Sequence, residues 1–219
     1  MSRVLVFGGH GKVARLLTPL LVARGDEVTA VIRNPDHVGE VEATGATARV
    51  ADVERLDTDA LAELVAGHDA IVWSAGAGGG DAARTYAVDR DAAIRSMDAA
   101  VRAGIARYVM VSWLGSTPDH GVPEDDDFFP YADAKLAADE HLRATALEWT
   151  VLGPGALRDE PGTGRITLDP DGRGAVPRAD VAATVAAALV EPATIRRTLR
   201  FGGGAQPIAE ALAAASDAR

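Results

Sequence analysis

Residues 4–14 read VLVFGGHGKVA, a short apolar run followed by a glycine-rich turn and a stretch of helical composition. Gly9, Gly11 and Ala14 match GxGxxG/A, which in dinucleotide-binding βα units follows a strand and opens a helix. Glycine permits the tight turn and lets backbone approach a pyrophosphate, which the N–H groups and dipole of the helix stabilise. The alternative is an ordinary glycine-rich turn. The predicted pyrophosphate site consists of Gly8, Gly9, His10, Gly11, Lys12 and Val13.

The rest of the chain alternates short apolar runs, bounded by glycine or charge, with stretches of helical length. The predicted strands are residues 3–7, 27–32, 47–51, 70–75, 107–112 and 149–152. The predicted helices are residues 12–24, 56–65, 82–103, 131–145 and 180–190. This alternation is typical of βαβ units with right-handed crossovers. The sequence predicts an α/β protein with a Rossmann-type doubly wound parallel sheet, as a single domain over residues 1–219.

Local signals mark the ends of these elements. Three glycines follow predicted helices where a left-handed backbone is favoured: Gly25, Gly67 and Gly104. Asp180 is predicted to cap the last helix at its N-terminus. Residues 153–177 are rich in glycine and proline, which indicates loops and a hairpin in a small, irregular C-terminal region. Together with residues 113–130, which include the acidic and solvated run 124–127, this region is predicted to surround the substrate.

Composition excludes several classes of function. The 219 residues carry a net charge of −10, which argues against nucleic-acid binding, and contain no cysteine for disulfides or thiolate metal sites. The five histidines lack metal-ligand spacing, so no metal site is predicted. The apolar run before the first glycine is too short for a signal peptide, and no stretch approaches a transmembrane span. We expect a cytoplasmic protein with a small-molecule substrate and no membrane partner; a homo-oligomer is left open.

The end of the second predicted strand indicates which cofactor is bound. An NAD site calls for a carboxylate there, but the sequence has Arg33, whose guanidinium suits a 2′-phosphate. NADP(H) is therefore predicted over NAD(H), with a solvated arginine as the alternative. Asp52 is a candidate for the adenine amino group or, equally, a helix N-cap. Ala75 and Gly76 open the glycine loop 75–80, which could pass close to a cofactor or simply be flexible.

Tyr131 and Lys135 form the pattern YxxxK in a predicted helix, and at this spacing their side chains share one face. The ammonium group of Lys135 is expected to lower the pKa of the Tyr131 phenol, which would make it a usable acid at neutral pH. The alternative is that Tyr131 only packs. Because the pair follows the fifth strand and its loop, we expect it to face the cofactor.

In combination these segments resemble the atypical short-chain dehydrogenases/reductases, the NAD(P)H-binding proteins related to the NmrA-like and biliverdin-reductase-B-like families. The resemblance covers nearly the whole chain and rests on segments in the expected order. These are GGHGKVA, VIRNP, ADV, RYVMVSW, YADAKLAAD, TVLGPGALRDEPGTGRI and VPRADVA.

The resemblance implies that Tyr131 and Lys135 are a catalytic pair, and that Pro154 and Gly155 pass the nicotinamide. Three positions depart from the family's pattern. Ser112 is followed by tryptophan where relatives commonly have a second serine, so its role in polarising a carbonyl is a hypothesis. Asp89 stands at the helix asparagine of the extended enzymes, and glycine replaces the arginine of Arg-Pro-Gly.

The leading hypothesis is an NADPH-dependent oxidoreductase, in which Tyr131 donates a proton to a small carbonyl or conjugated substrate and Ser112 orients it. A non-catalytic NADP(H)-binding redox sensor is the first alternative. A sugar epimerase or dehydratase is the second, and it is disfavoured because only about 65 residues follow the sixth predicted strand, too few for a large substrate lobe.

Overall fold

The computed structural model describes residues 1–79, 81–170 and 174–216. Gly80, the last residue of the predicted glycine loop, and residues 171–173 of the predicted substrate-side segment lie outside this part. The strands are β1 (Arg3–Phe7), β2 (Glu27–Ile32), β3 (Thr47–Val50), β4 (Ala70–Trp73), β5 (Arg107–Val111), β6 (Glu148–Pro154), β7 (Ala156–Arg158), β8 (Arg165–Leu168), β9 (Ala175–Pro177), β10 (Arg197–Gly203) and β11 (Gln206–Pro207).

Nine of these strands form one sheet in the described residues, in the order β11-β8-β10-β6-β5-β4-β1-β2-β3. Strands β1 to β6 and β10 pair in parallel, whereas β8 runs antiparallel to both β10 and β11. The strand order reverses between β1 and β4, and ligands of open α/β sheets bind at such a switch point. The sheet therefore places a crevice directly above the glycine turn.

Helices cover both faces of the sheet. They are α1 (Lys12–Ala23), α2 (Val38–Glu42), α3 (Thr58–Val65), α4 (Ala82–Thr85), α5 (Ala93–Arg102), α6 (Phe129–Ala144), α7 (Arg178–Ala188) and α8 (Ile208–Ala213). Helices α1, α7 and α8 bury their apolar side chains on one face, and α3, α5 and α6 on the other. The predicted doubly wound fold is confirmed.

The turns after three helices agree with the sequence-based prediction. Gly25, Gly67 and Gly104 have φ values of 91°, 80° and 71°, in the left-handed region that glycine adopts without steric cost. The helix predicted at residues 82–103 is continuous but not uniform, because a π-helical stretch, Tyr86–Ala92, joins α4 to α5. Such local widening is frequent at functional sites.

The C-terminal third differs from the prediction in two respects. Helix α7 begins at Arg178, so Asp180 is not its N-cap; the buried Asp180 carboxylate instead accepts hydrogen bonds from the backbone N–H groups of Thr163 and Gly164. The predicted hairpin is also wrong, since β7 pairs in parallel with β9 and β8 joins the main sheet. Both outcomes depend on contacts between distant segments, which local composition does not encode.

Candidate active site

The glycine turn fits tightly between the ends of β2 and β4. Gly8 has a φ of +78°, and a Cβ added to it would lie 2.6 Å from Cα of Ala75. A Cβ on Gly9 would lie 2.6 Å from Cβ of Ala30, and the Gly9 N–H donates to the carbonyl of Val31 at 2.9 Å. Gly11 precedes α1 in extended conformation. Side chains at Gly8 or Gly9 could not be accommodated without moving the neighbouring strands, and the resulting backbone cradle before α1 fits a pyrophosphate.

Above the turn lies a cleft of about 1230 Å³ along the carboxyl ends of β1 to β4. Its walls bring together eight of the residues predicted from the sequence. These are Gly8, His10, Gly11, Arg33, Asp52, Ala75, Gly76 and Tyr131. Residues 124–127, predicted to be solvated, are exposed and also line the cleft beside Tyr131. The cleft thus runs from the end of β2 to the start of α6.

The remaining predicted residues do not line this cleft. Val13 is buried against the sheet below the turn, and the exposed Lys12 pairs with Asp159 at 2.9 Å. Pro154 and Gly155 are buried at the end of β6, where the Gly155 N–H donates to the carbonyl of Phe201. Gly9 packs against Ala30 on the side of the turn that faces the sheet. Ser112 and Lys135 are buried in the protein behind the residues that line the cleft. The contacts of Pro154 and Gly155 with a nicotinamide stay a prediction.

The predicted adenosine end of the cleft is polar. Arg33 donates from Nη1 to Oε1 of Glu54 at 3.1 Å, and Arg84 donates from Nε to the same oxygen at 3.0 Å. Asp52 accepts a hydrogen bond from the Glu54 N–H at 3.2 Å. Its alternative role as a helix N-cap is wrong, because Asp57 caps α3. Asp52 keeps its other carboxylate oxygen towards the surface, where it contacts Arg55.

Tyr131 lies at the other end of the cleft, with its ring 5.1 Å from that of Phe128 and 6.4 Å from that of Trp113. Burial raises the pKa of its phenol, and the carboxylates of Asp89 and Asp139 raise it further. The expectation that Lys135 lowers this pKa is therefore wrong. The ammonium group of Lys135 instead donates to the carbonyl of Val111 at 3.0 Å. Tyr131 is thus a protonated phenol at neutral pH.

Ser112 is buried, and its hydroxyl donates to Oδ2 of Asp139 at 2.5 Å. Ser116 donates to the same oxygen at 2.6 Å. Burial raises the pKa of the Asp139 carboxyl, and the nearby charge of Lys135 opposes that shift. Because a serine hydroxyl has a single proton to donate, this arrangement commits Ser112 to Asp139 and not to the cleft.

Sequence reasoning gave no binding role to Glu54, Arg84 or Asp89, which all line the cleft. Asp89 lies in the π-helical stretch, is buried, and accepts a hydrogen bond from the Ala77 N–H at 2.9 Å. Burial raises the pKa of its carboxyl. Position in the chain could have indicated a binding role for Glu54 and Arg84, since they follow β3 and β4 at the carboxyl edge of the sheet, where ligands bind.

The part of the chain that the structure describes has neither a metal-binding cluster nor a membrane-spanning helix. In the described ranges, no group of three or more histidine, aspartate or glutamate side chains is arranged to hold a metal ion. Among the helices described, none is long and apolar enough to cross a membrane.

A glycine cradle at the switch point of a doubly wound sheet defines a Rossmann-type dinucleotide-binding protein. The chain belongs to the NAD(P)H-binding family, whose profile matches residues 8–192. The resemblance to atypical short-chain dehydrogenases/reductases is thereby confirmed. Membership of this family and the relatives below support a nicotinamide cofactor for this chain and, in general terms, an oxidoreductase-like or epimerase-like function.

Known relatives span nearly the whole chain. An uncharacterised sugar epimerase of Bacillus subtilis strain 168, YhfK, is 38% identical over 213 residues, which cover 96% of this chain and 98% of that protein. A Bacillus halodurans structure, described provisionally as an NAD-dependent epimerase/dehydratase, is 34% identical with a TM-score of 0.89, covering 97% and 99%. The anaerobilin reductase ChuY of Escherichia coli O157:H7 is 26% identical with a TM-score of 0.76, covering 92% and 97%.

Proposed function

We propose that this chain is an NADPH-dependent oxidoreductase that reduces a small carbonyl or conjugated substrate. The observation that carries the proposal is that the glycine cradle, Arg33 and Tyr131 open onto one cleft. The cradle takes the pyrophosphate at the centre, and Arg33 takes the 2′-phosphate at the end of β2. Tyr131 then lies at the opposite end, where the substrate enters. The relationship to a reductase, ChuY, agrees with this direction of reaction.

The bound nicotinamide would supply a hydride, which is chemistry that no side chain provides. The chain's own residues supply orientation and a proton. Because the pKa of Tyr131 is raised, its phenol keeps the proton until the oxygen of a reduced substrate needs it. Phe128 and Trp113 pack against this ring and restrict its orientation. Lys135, held by the Val111 carbonyl, adds a positive charge behind the wall, which favours the ionised forms of Asp89 and Asp139 and so opposes the rise that burial causes in their pKa.

The test is oxidation of NADPH by a panel of quinones, aldehydes and flavins, with the wild type, Tyr131→Phe and Tyr86→Phe. Loss of the acid is expected to lower turnover about 100-fold in Tyr131→Phe, while NADPH binding persists. Tyr86 is a matched control, since it lies on the π-helical stretch and does not line the cleft. Turnover that is unaffected by Tyr131→Phe would remove Tyr131 as the acid.

A second candidate is a non-catalytic NADP(H)-binding sensor. The observation that favours it is the commitment of the Ser112 hydroxyl to Asp139, because Ser112 then does not assist Tyr131 in the cleft. Tight NADPH binding with no turnover of any acceptor would support this candidate. An epimerase, which the names of two relatives indicate, fits less well because the described residues after β6 add β8, β10 and β11 to the main sheet and α7 and α8 to its face.

A further inference from the structure

Arg33, Glu54 and Arg84 form an ion-pair cluster at one end of the cleft. Oε1 of Glu54 accepts from Nη1 of Arg33 at 3.1 Å and from Nε of Arg84 at 3.0 Å. The three residues come from different segments: the residue after β2, the loop after β3, and the single turn of α4. All three line the cleft. Two guanidinium groups therefore meet at a single carboxylate oxygen, beside the predicted 2′-phosphate position.

Further hydrogen bonds hold the cluster in place. Arg84 also donates from Nη1 to the carbonyl of Ala77 at 2.8 Å, which ties it to the glycine loop after β4. The Glu54 backbone is fixed at both ends, because its N–H donates to Asp52 and its carbonyl accepts from Arg95 at 3.3 Å. The Arg84 side chain is two-thirds buried and the Glu54 side chain three-quarters buried. Arg84 and Glu54 are thus held in place, while the more exposed Arg33 side chain completes the cluster from the end of β2.

The charges of the cluster suit an incoming anion. Two guanidinium groups would repel each other at this separation, and the carboxylate between them offsets that repulsion. A phosphate monoester offers the same kind of acceptor oxygens with a larger negative charge. It can therefore replace the carboxylate as the partner of both arginines, whereas a ribose 2′-hydroxyl cannot.

We propose that Arg84 is a second specificity-determining residue, which binds the 2′-phosphate together with Arg33. Glu54 is the internal anion that holds both arginines in position and competes with the phosphate for them. This inference rests on the NADPH preference in the proposed function. It adds a second phosphate-binding side chain, from α4, and a carboxylate that weakens the binding of NADPH. It applies to the adenosine end of the cofactor, whatever reaction occurs at the nicotinamide end.

Two substitutions act in opposite directions. Arg84→Gln removes one charged donor, so NADPH binding is expected to weaken about tenfold while NADH binding changes less than about twofold. Glu54→Gln keeps an acceptor oxygen for the arginines but removes the competing charge. It is expected to strengthen NADPH binding about threefold or more and to leave NADH binding unchanged.

The experiment is fluorescence titration of NADPH and NADH, with calorimetric titration of 2′,5′-ADP and 5′-AMP as probes of the adenosine end alone. The proteins are the wild type, Arg33→Gln, Glu54→Gln, Arg84→Gln and the control Arg102→Gln. Arg102 is a matched control because it forms an exposed ion pair with Asp59 outside the cleft. Thermal unfolding of each protein verifies that the variants are folded.

The outcomes separate this inference from the proposed function. If Arg33→Gln weakens NADPH selectively but Arg84→Gln affects both cofactors equally or neither, the inference fails and the NADPH preference stands. If Glu54→Gln weakens NADPH or leaves it unchanged, the competition is disproved. If the wild type binds NADH as tightly as NADPH and Arg33→Gln has no effect, the NADPH preference fails, and the inference fails with it.

Discussion

Tyr131 and Asp139 lie about two turns apart on α6, and the charge of Asp139 contributes to the raised pKa of the Tyr131 phenol. Burial is the largest cause of this shift, and the charge of Asp89 is the second. Lys135 lies between Tyr131 and Asp139 at the same helical spacing. The Asp139 carboxylate accepts two serine hydroxyls on Oδ2, whereas Oδ1 has no hydrogen-bond partner in the described part of the chain. The stripe Tyr131–Lys135–Asp139 therefore joins the predicted acid to a buried carboxyl that lies outside the cleft.

The buried carboxyl predicts a dependence of stability on pH. Burial raises the folded-state pKa of Asp139 above the usual 3.8, so the folded state binds this proton more tightly than the unfolded state. Wild-type stability should fall as the pH rises from about 3.8 to the folded-state pKa, and Asp139→Asn removes that loss. The variant should gain about 1–3 kcal/mol on the wild type across this window. Urea unfolding at a series of pH values measures it, with the exposed Asp59→Asn as control; parallel curves for Asp139→Asn and wild type would contradict it.

Ser112→Ala tests whether the serine is structural. The substitution removes one of the two donors to Asp139, so the free energy of unfolding should fall by about 1–2 kcal/mol. NADPH affinity should not change, because Ser112 does not line the cleft. Ser116→Ala is the matched comparison, since it removes the other donor. A loss of turnover in Ser112→Ala without loss of stability would return Ser112 to a catalytic role.

Gly8→Ala should damage both the fold and the cofactor site. At a φ of +78° an added methyl group would meet Cα of Ala75, so we expect a loss of more than about 2 kcal/mol in stability and of NADPH binding. Gly39→Ala is the control, because Gly39 lies in α2 with open space around it. That variant should be unchanged or more stable by about 0.5–1 kcal/mol. Thermal unfolding and NADPH titration compare the two, and equal behaviour would argue against the tight cradle.

Arg107→Met tests a buried cation outside the cleft. Arg107 lies on β5 and donates from Nη2 to Oγ1 of Thr150 at 2.8 Å and to the carbonyl of Ala188 at 2.5 Å. Burial lowers the pKa of its guanidinium to about 10. The substitution removes a charged donor from both acceptors, although the Ala188 carbonyl keeps a hydrogen bond from Oγ1 of Thr194 at 3.2 Å. Stability should therefore fall by about 2–3 kcal/mol. Urea unfolding measures the loss; NADPH affinity in the folded variant should match the wild type, and a variant as stable as wild type would disprove the role.

The fold was predictable because its signals are local. The glycine turn and the left-handed Gly25, Gly67 and Gly104 each mark a boundary within a few residues of sequence. Strand β10 was missed, since it follows Arg196, which is left-handed without being glycine, and its neighbours β6 and β8 are distant in sequence. Pairing between remote segments depends on the whole fold and leaves no local pattern.

The site was predictable in its residue types and less so in its contacts. Tyr131 and Arg33 follow from motif and position, and both line the cleft. The direction of Lys135 towards the Val111 carbonyl, and the engagement of Arg33 by Glu54, depend on side chains that only the folded chain brings together. Helical spacing places Lys135 on the same face as Tyr131 but does not determine where its ammonium group points.

The two edges of the main sheet have a consequence for the behaviour of the protein in concentrated solution. At one edge, β3 has only four residues and carries Arg49; at the other, β11 has two residues and ends in Pro207. Short strands, charge and proline are features that prevent one sheet from adding to the edge of another. The chain can therefore display a wide, largely parallel sheet without inviting the strand-by-strand growth that leads to aggregates.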